Sequence, residues 1–270
     1  GSGSIVGSAI FNLLAIVGAA ALVRKAKLTW QPAIRDLFFY TLAVVLLVFF
    51  IWDGRFSWTE AVVFLGVYVV YVIAVVYWKR ILPYRDLPFD EPAESDCNSN
   101  GFFGWLDWGL CRLFPPKNHY YRLFLLSIMI IAGLSWVLVE LAVHLSLALN
   151  IPEAIIALTV LAVGTSVPDL FSSLIVARQG RGDMAVSNAI GSNIFDILVG
   201  LGLPFAIIIL LSGKTVSAGG YIIESVIILF ASVILMMILL IINKWRVGKF
   251  TGLVLVGAYL FYVIREIVLL

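Results

Sequence analysis

Residues 161–198 read LAVGTSVPDLFSSLIVARQGRGDMAVSNAIGSNIFDIL, two apolar stretches joined by a basic turn. Each stretch carries one aspartate deep in otherwise apolar sequence. Asp169 lies nine residues before Arg178, and Asp196 about ten residues into a helix that begins near Val186. At 1.5 Å per residue, both carboxylates fall ~14–15 Å from the same end, about half of a ~30 Å hydrocarbon core. A carboxylate at that depth costs at least ~2.5–3.5 kcal/mol, so it requires a partner. Neither stretch offers a Lys or Arg for the purpose, which leaves a bound cation.

The neighbouring residues fit a cation. Pro168 has no amide hydrogen and clashes with the carbonyl of Gly164, so the helix is expected to break or unwind there. That would release the carbonyls of 162–164, with Ala162 the foremost, as ligands beside the hydroxyls of Thr165 and Ser166. The second stretch supplies Ser192, Asn193 and Asp196, and Ser192 and Asp196 share a face at i,i+4. All these donors are oxygens, which suits Ca²⁺, Na⁺ or K⁺ and not zinc or copper. Secondary transporters build mid-membrane ion sites from broken helices of this kind. A kink serving structure alone, with small residues for close packing, is the competing reading; for Gly164, Gly191 and Gly200 packing is the expected role.

The run GTSVPDLFSSLIVARQGRGDMAVSNAIGSNIFDILVGLGLP resembles the second alpha-repeat of the calcium/cation antiporter superfamily, and within it the potassium-dependent sodium/calcium exchangers. Asp169 in PDL and Asp196 in IFD are the residues that favour that branch. The resemblance implies a ten-helix inverted-repeat antiporter fold. It also implies Asp169 as main Ca²⁺/Na⁺ ligand and a K⁺ role for Asp196.

Composition agrees with a membrane protein. Of 270 residues, 62% are hydrophobic and 13% charged, and the mean hydropathy is +1.08. Such a chain is an all-α polytopic membrane protein and not a soluble core. Cys97 and Cys111 share one polar loop without metal spacing, so free thiols are expected. Apolar stretches long enough to span occur at about 5–23, 35–52, 58–78, 121–147, 152–177, 186–211, 220–242 and 250–270, eight in all.

The connections alternate in charge. Of the 18 basic residues, fifteen fall on one side and three (Arg55, Lys214 and Arg265) on the other. The positive-inside rule places the 79–120 loop in the cytosol and both chain ends outside. Within that loop, 86–96 reads as a solvated acidic linker and 102–114 as a short interfacial helix.

The opening residues repeat the quoted stretch. Gly7-Ser8-Ala9-Ile10-Phe11-Asn12 aligns with Gly191-Ser192-Asn193-Ile194-Phe195-Asp196, and the charge pattern sends the two copies in opposite directions. That is an inverted repeat. Ser8 and Asn12 would then be the first copy's share of the cation site. The domain reading is residues 1–78 as the remainder of a first half, 79–120 as a loop, and 121–270 as the second half. Family members carry two further spans upstream, so this chain is expected to be the C-terminal four-fifths of an exchanger that needs those helices.

Five other ionisable residues in apolar sequence, Glu140, His144, Glu224, Arg265 and Glu266, are expected to pair structurally, not to transport. The function expected is a secondary antiporter, not an enzyme, exchanging Na⁺ for Ca²⁺ with K⁺ as a further transported ion. No cofactor and no nucleic-acid partner are expected; lipid and inorganic cations are. A K⁺-independent or H⁺-coupled exchanger is the near alternative. A cation channel is more distant, since it would form rings across subunits. An intramembrane hydrolase lacks any Ser-His or metal pattern near the aspartates.

Overall fold

The computed structural model describes residues 2–52, 55–84, individual positions between 125 and 148, 161–212, 216–217 and 222–268. The first membrane helix comprises α1 (Ser2–Ile10), a π-helical segment (Phe11–Ile16) and α2 (Val17–Val23). Then follow α3 (Trp30–Ile51), α4 (Trp58–Ile81), α5 (Ala162–Arg178), α6 (Gly182–Leu198), α7 (Gly202–Ser212), α8 (Ile222–Ile242) and α9 (Lys249–Val268). The described positions between 125 and 148 are helical as well. The acidic linker 86–96, the interfacial helix 102–114, Cys97, Cys111 and the start of the 152–177 span lie outside the described residues.

Local chemistry explains several boundaries. Ser57 and Glu60 form a capping box that opens α4, with the Ser57 amide donating to Glu60 Oε2 at 2.7 Å. Between α5 and α6 the chain turns at Gly180, whose φ of +88° suits a residue without a side chain. Arg24 Nη1 donates to the Arg178 carbonyl at 3.2 Å, satisfying one of the bare carbonyls at the end of α5.

Two short antiparallel ribbons fix the direction of every long helix. One pairs Ala26–Lys27 (β1) with Arg246–Val247 (β4); the other pairs Arg55–Phe56 (β2) with Val216–Ser217 (β3). The first gathers the end of α2, the start of α3, the end of α8 and the start of α9. The second gathers the end of α3, the start of α4, the end of α7 and the start of α8. The described basic residues from Arg24 to Arg35, Lys79, Arg80, Arg178, Arg181 and 244–249 therefore share one end, and Arg55 and Arg265 occupy the other. It follows that 2–23 runs towards the basic end and 182–212 away from it. The similar segments are antiparallel, as an inverted repeat requires.

Burial is graded about this axis. The helix at 3–23 has 78% of its apolar window buried, whereas that at 58–81 has 11%. The first is the core of the bundle and the second lies at its periphery. Glycine permits a close helix–helix contact: a Cβ on Gly252 of α9 would lie 2.7 Å from the Gly18 carbonyl oxygen of α2.

Among the described residues five helices are long and apolar enough to cross a membrane; the spans read at 121–147 and 152–177 lie partly outside those residues. Some other expectations need correction. The expected single helix at 186–211 is two. Pro204 cannot donate to the Gly200 carbonyl, and Gly200 itself folds back so closely that a Cβ would sit 2.4 Å from the Asp196 carbonyl oxygen. Gly191 is different: the nearest atom to a Cβ there is the Tyr71 hydroxyl at 3.9 Å, so packing does not demand a glycine.

The expected break at Pro168 is absent, since α5 is continuous through it. Only the Gly164 carbonyl loses its amide donor, and the flanking turns hold the helix together. The irregular turn appears instead in the first copy, as the π-helical segment around Asn12. The sequence there holds neither Pro nor a tell-tale Gly.

Candidate cation site

Three elements meet at mid-bundle: the irregular first helix, α5 and α6. Ser8 and Ser166 are both buried, and their hydroxyl oxygens lie 2.7 Å apart. Asn12 is fully buried on the π-helical segment; its Nδ2 donates to Asn193 Oδ1 at 3.0 Å and reaches Ser192 Oγ at 3.3 Å. Asn193 Nδ2 donates in turn to the Ala9 carbonyl and to the Tyr40 hydroxyl, each at 3.0 Å. A π-helical turn shifts the register by one residue, and such turns gather at functional sites. Here the turn carries the Asn12 amide.

The aspartates flank this seam. Ser192 Oγ is beside the Asp169 carboxylate, and the Asp169 and Asp196 carboxylates are close enough to repel each other. Both residues are half-buried. Asn12 Oδ1 is buried without a hydrogen-bond partner. A buried carbonyl oxygen left bare costs about 1–3 kcal/mol unless something else occupies it. The seam therefore holds two carboxylates, an unpartnered amide oxygen and serine hydroxyls, with no cationic side chain among the contacts described. That is an oxygen-only donor set suited to hard cations. Among the described residues no three His, Cys, Asp or Glu side chains cluster, so a cation held here would draw on neutral oxygens beside the two carboxylates.

Two of the residues singled out in the sequence sit less directly. Thr165 is exposed, and its Oγ1 donates back to the carbonyls of Leu161 (3.0 Å) and Ala162 (3.1 Å). The Ala162 carbonyl is thus engaged by its own helix instead of being released by unwinding. Asn193 spends both ends of its amide within the protein, which makes it a brace between helices. Tyr40 was missed, because a tyrosine inside the apolar run of α3 looks like core.

The remaining ionisable groups are paired. His144 Nε2 lies 3.4 Å from Glu140 Oε1 on exposed side chains. Arg265 bridges Glu224 and Glu266 at the end opposite the basic one.

The sodium/calcium exchanger protein family model matches residues 1–77 and 119–268. The curated relatives include sodium/potassium/calcium exchanger 4 of Mus musculus, 37% identical over 182 residues (64% of this chain, 29% of the relative). Sodium/potassium/calcium exchanger 3 of Homo sapiens is 46% identical over 190 residues, again 64% of this chain and 29% of the relative. Among solved structures, the sodium-calcium exchanger NCX_Mj aligns with a TM-score of 0.60 at 22% identity, over 97% of this chain and 75% of that one. The H⁺/Ca²⁺ exchanger CAX aligns with a TM-score of 0.65 at 15% identity, over 98% and 69%. A helical bundle with an oxygen-lined seam between antiparallel repeats defines the class, a polytopic membrane protein. The chain belongs to the sodium/calcium exchanger family. Its aligned region spans under a third of the curated relatives' length.

Proposed function

We propose that this chain belongs to an antiporter that exchanges Na⁺ for Ca²⁺, with K⁺ as a further transported ion. The observation that carries the reading is the pair of neighbouring carboxylates, Asp169 and Asp196, beside Ser192, which the Asn12 amide of an antiparallel copy of the same motif reaches. Two like charges in an apolar bundle repel each other when the site is empty and are neutralised when cations fill it. Ca²⁺ or a set of monovalent ions can supply that charge, so they compete for one site.

Asp169 is the principal Ca²⁺/Na⁺ ligand in this proposal. Ser166, Thr165 and the Ala162 carbonyl stand beside it, while Ser192, Asn193, Ser8 and Asn12 complete the seam. Asp196 serves K⁺, a large singly charged ion that neutral oxygens hold weakly. The relatives named for sodium, potassium and calcium exchange support the three-ion reading. Residues 1–78 and 121–270 act as opposed halves joined by the 79–120 loop, completed by upstream helices of the same protein. The basic end faces the cytosol, following the positive-inside rule.

The test is Ca²⁺ uptake by proteoliposomes holding the full-length protein that contains this chain, with Na⁺ and K⁺ gradients imposed separately. Uptake driven by an outward Na⁺ gradient and raised by K⁺ is expected. Uptake driven by a pH gradient alone would replace the reading with H⁺ coupling.

A further inference from the structure

A second polar cluster lies nearer the basic end, between α3, α4 and α6. Arg35 and Asp36 are both buried, with relative exposures of 7% and 2%. Arg35 Nε and Nη2 lie 2.8 and 2.7 Å from Asp36 Oδ1. The Tyr71 hydroxyl of α4 donates to the same oxygen at 3.3 Å, and Ser187 Oγ of α6 donates to Asp36 Oδ2 at 2.8 Å. Arg35, Asp36, Ser187 and Ile190 line a cavity of about 360 Å³ that extends to the Gly180–Arg181 turn at the basic end.

One helical turn further along α3 stands Tyr40, on the same face as Asp36. Its hydroxyl accepts from Asn193 Nδ2 at 3.0 Å, and Asn193 in turn holds Asn12. Thus α3 and α6, which run in the same direction, are tied at two levels: Asp36 to Ser187, and Tyr40 to Asn193. A single tie would let α6 roll about its axis; two ties along its length fix both height and rotation. Ser192 follows Ser187 by five residues and Asp196 follows Asn193 by three, so any roll of α6 displaces both from Asp169. Binding groups lose most of their effect when displaced by more than ~0.5 Å.

We propose that Asp36 and Tyr40 are positioning residues for the cation site, holding α6 so that Ser192 and Asp196 face Asp169. The proposal rests on the exchange reading above. Removing Asp36 would leave Arg35 as an uncompensated buried charge and endanger folding, so the variants of choice are Ser187→Ala and Tyr40→Phe. Each removes one hydroxyl and little volume.

In proteoliposomes of the full-length protein, Na⁺-driven Ca²⁺ uptake is measured against Ca²⁺ concentration. Each variant is expected to raise the KM for Ca²⁺ about fivefold, the scale of one lost hydrogen bond, while the maximal rate per folded protein stays near the parent's. Ser187→Thr, which keeps the hydroxyl, restores the parental KM. An active parent whose variants keep the parental KM overturns the proposal, and so does a fall in rate without a change in KM, the mark of a merely structural tie. A parent without Na⁺-driven uptake defeats the exchange reading itself, and this inference with it.

Discussion

Ser8 Oγ and Ser166 Oγ stand 2.7 Å apart across 158 residues of chain, buried at the contact of α1 and α5. The first copy of the repeat thereby touches the PDL-bearing helix directly, one turn before Asp169. A hydroxyl pair in this place ties α1 to α5 one turn from Asp169.

Replacing either serine by alanine leaves the other hydroxyl buried with one partner fewer. Each single variant is expected to lose about 1 kcal/mol of stability. The double variant is expected to lose less than the sum, because the second change removes a group already orphaned. Thermal unfolding of the detergent-solubilised full-length protein and its variants checks the coupling; strict additivity would mean the two hydroxyls do not interact.

The proposed site gives the two aspartates different ions. Asp169→Asn removes a charge from the proposed principal ligand and is expected to abolish Ca²⁺ and Na⁺ transport together. Asp196→Asn reproduces the residue that stands at Asn12 and is expected to keep Na⁺-driven Ca²⁺ uptake while losing its response to K⁺. Uptake at zero and saturating K⁺ distinguishes these outcomes. Normal transport by Asp169→Asn would show the site to be elsewhere.

Asn12 is fully buried with a free Oδ1 and an Nδ2 that serves two residues of α6. Asn12→Leu preserves approximate volume and removes both roles. It strands Asn193 Oδ1, so stability should fall by about 1–3 kcal/mol. The increase in melting temperature produced by added Ca²⁺ should shrink as well, since ligand stabilisation scales with the logarithm of concentration over Kd. A melting curve with the parent's response to Ca²⁺ would remove Asn12 from the ligand set.

Glycine matters at the α2–α9 contact and not at α4. Gly252→Ala would drive a Cβ to 2.7 Å from the Gly18 carbonyl, whereas nothing lies within 4 Å of a Cβ at Gly66. The first change is expected to cost about 1–3 kcal/mol by overpacking, and Gly66→Ala to be neutral or to stabilise by up to ~1 kcal/mol. Equal melting temperatures for the two variants would contradict the close approach.

Much of this protein was legible in sequence because lipid allows few solutions. Apolar length reveals a span, a buried carboxylate demands a counter-charge, and a basic residue marks an end. Asp169, Asp196 and the GSAIFN/GSNIFD match could be read directly, and the antiparallel course of the two copies follows from the charge alternation that the ribbons at Ala26–Lys27 and Arg55–Phe56 reproduce.

Tertiary structure decided what local chemistry leaves open. Pro168 costs one hydrogen bond, which α5 absorbs without breaking. The π-helical turn at Asn12 has no Pro or distinctive Gly to announce it and depends on how the first helix is gripped from several sides. Tyr40 and Asp36 find their partners Asn193 and Ser187 only when α3 is laid beside α6. A sequence states the depth of each polar group, because depth is rise per residue. Which of those groups share a partner depends on helix rotation, and rotation is set only when all the faces pack at once.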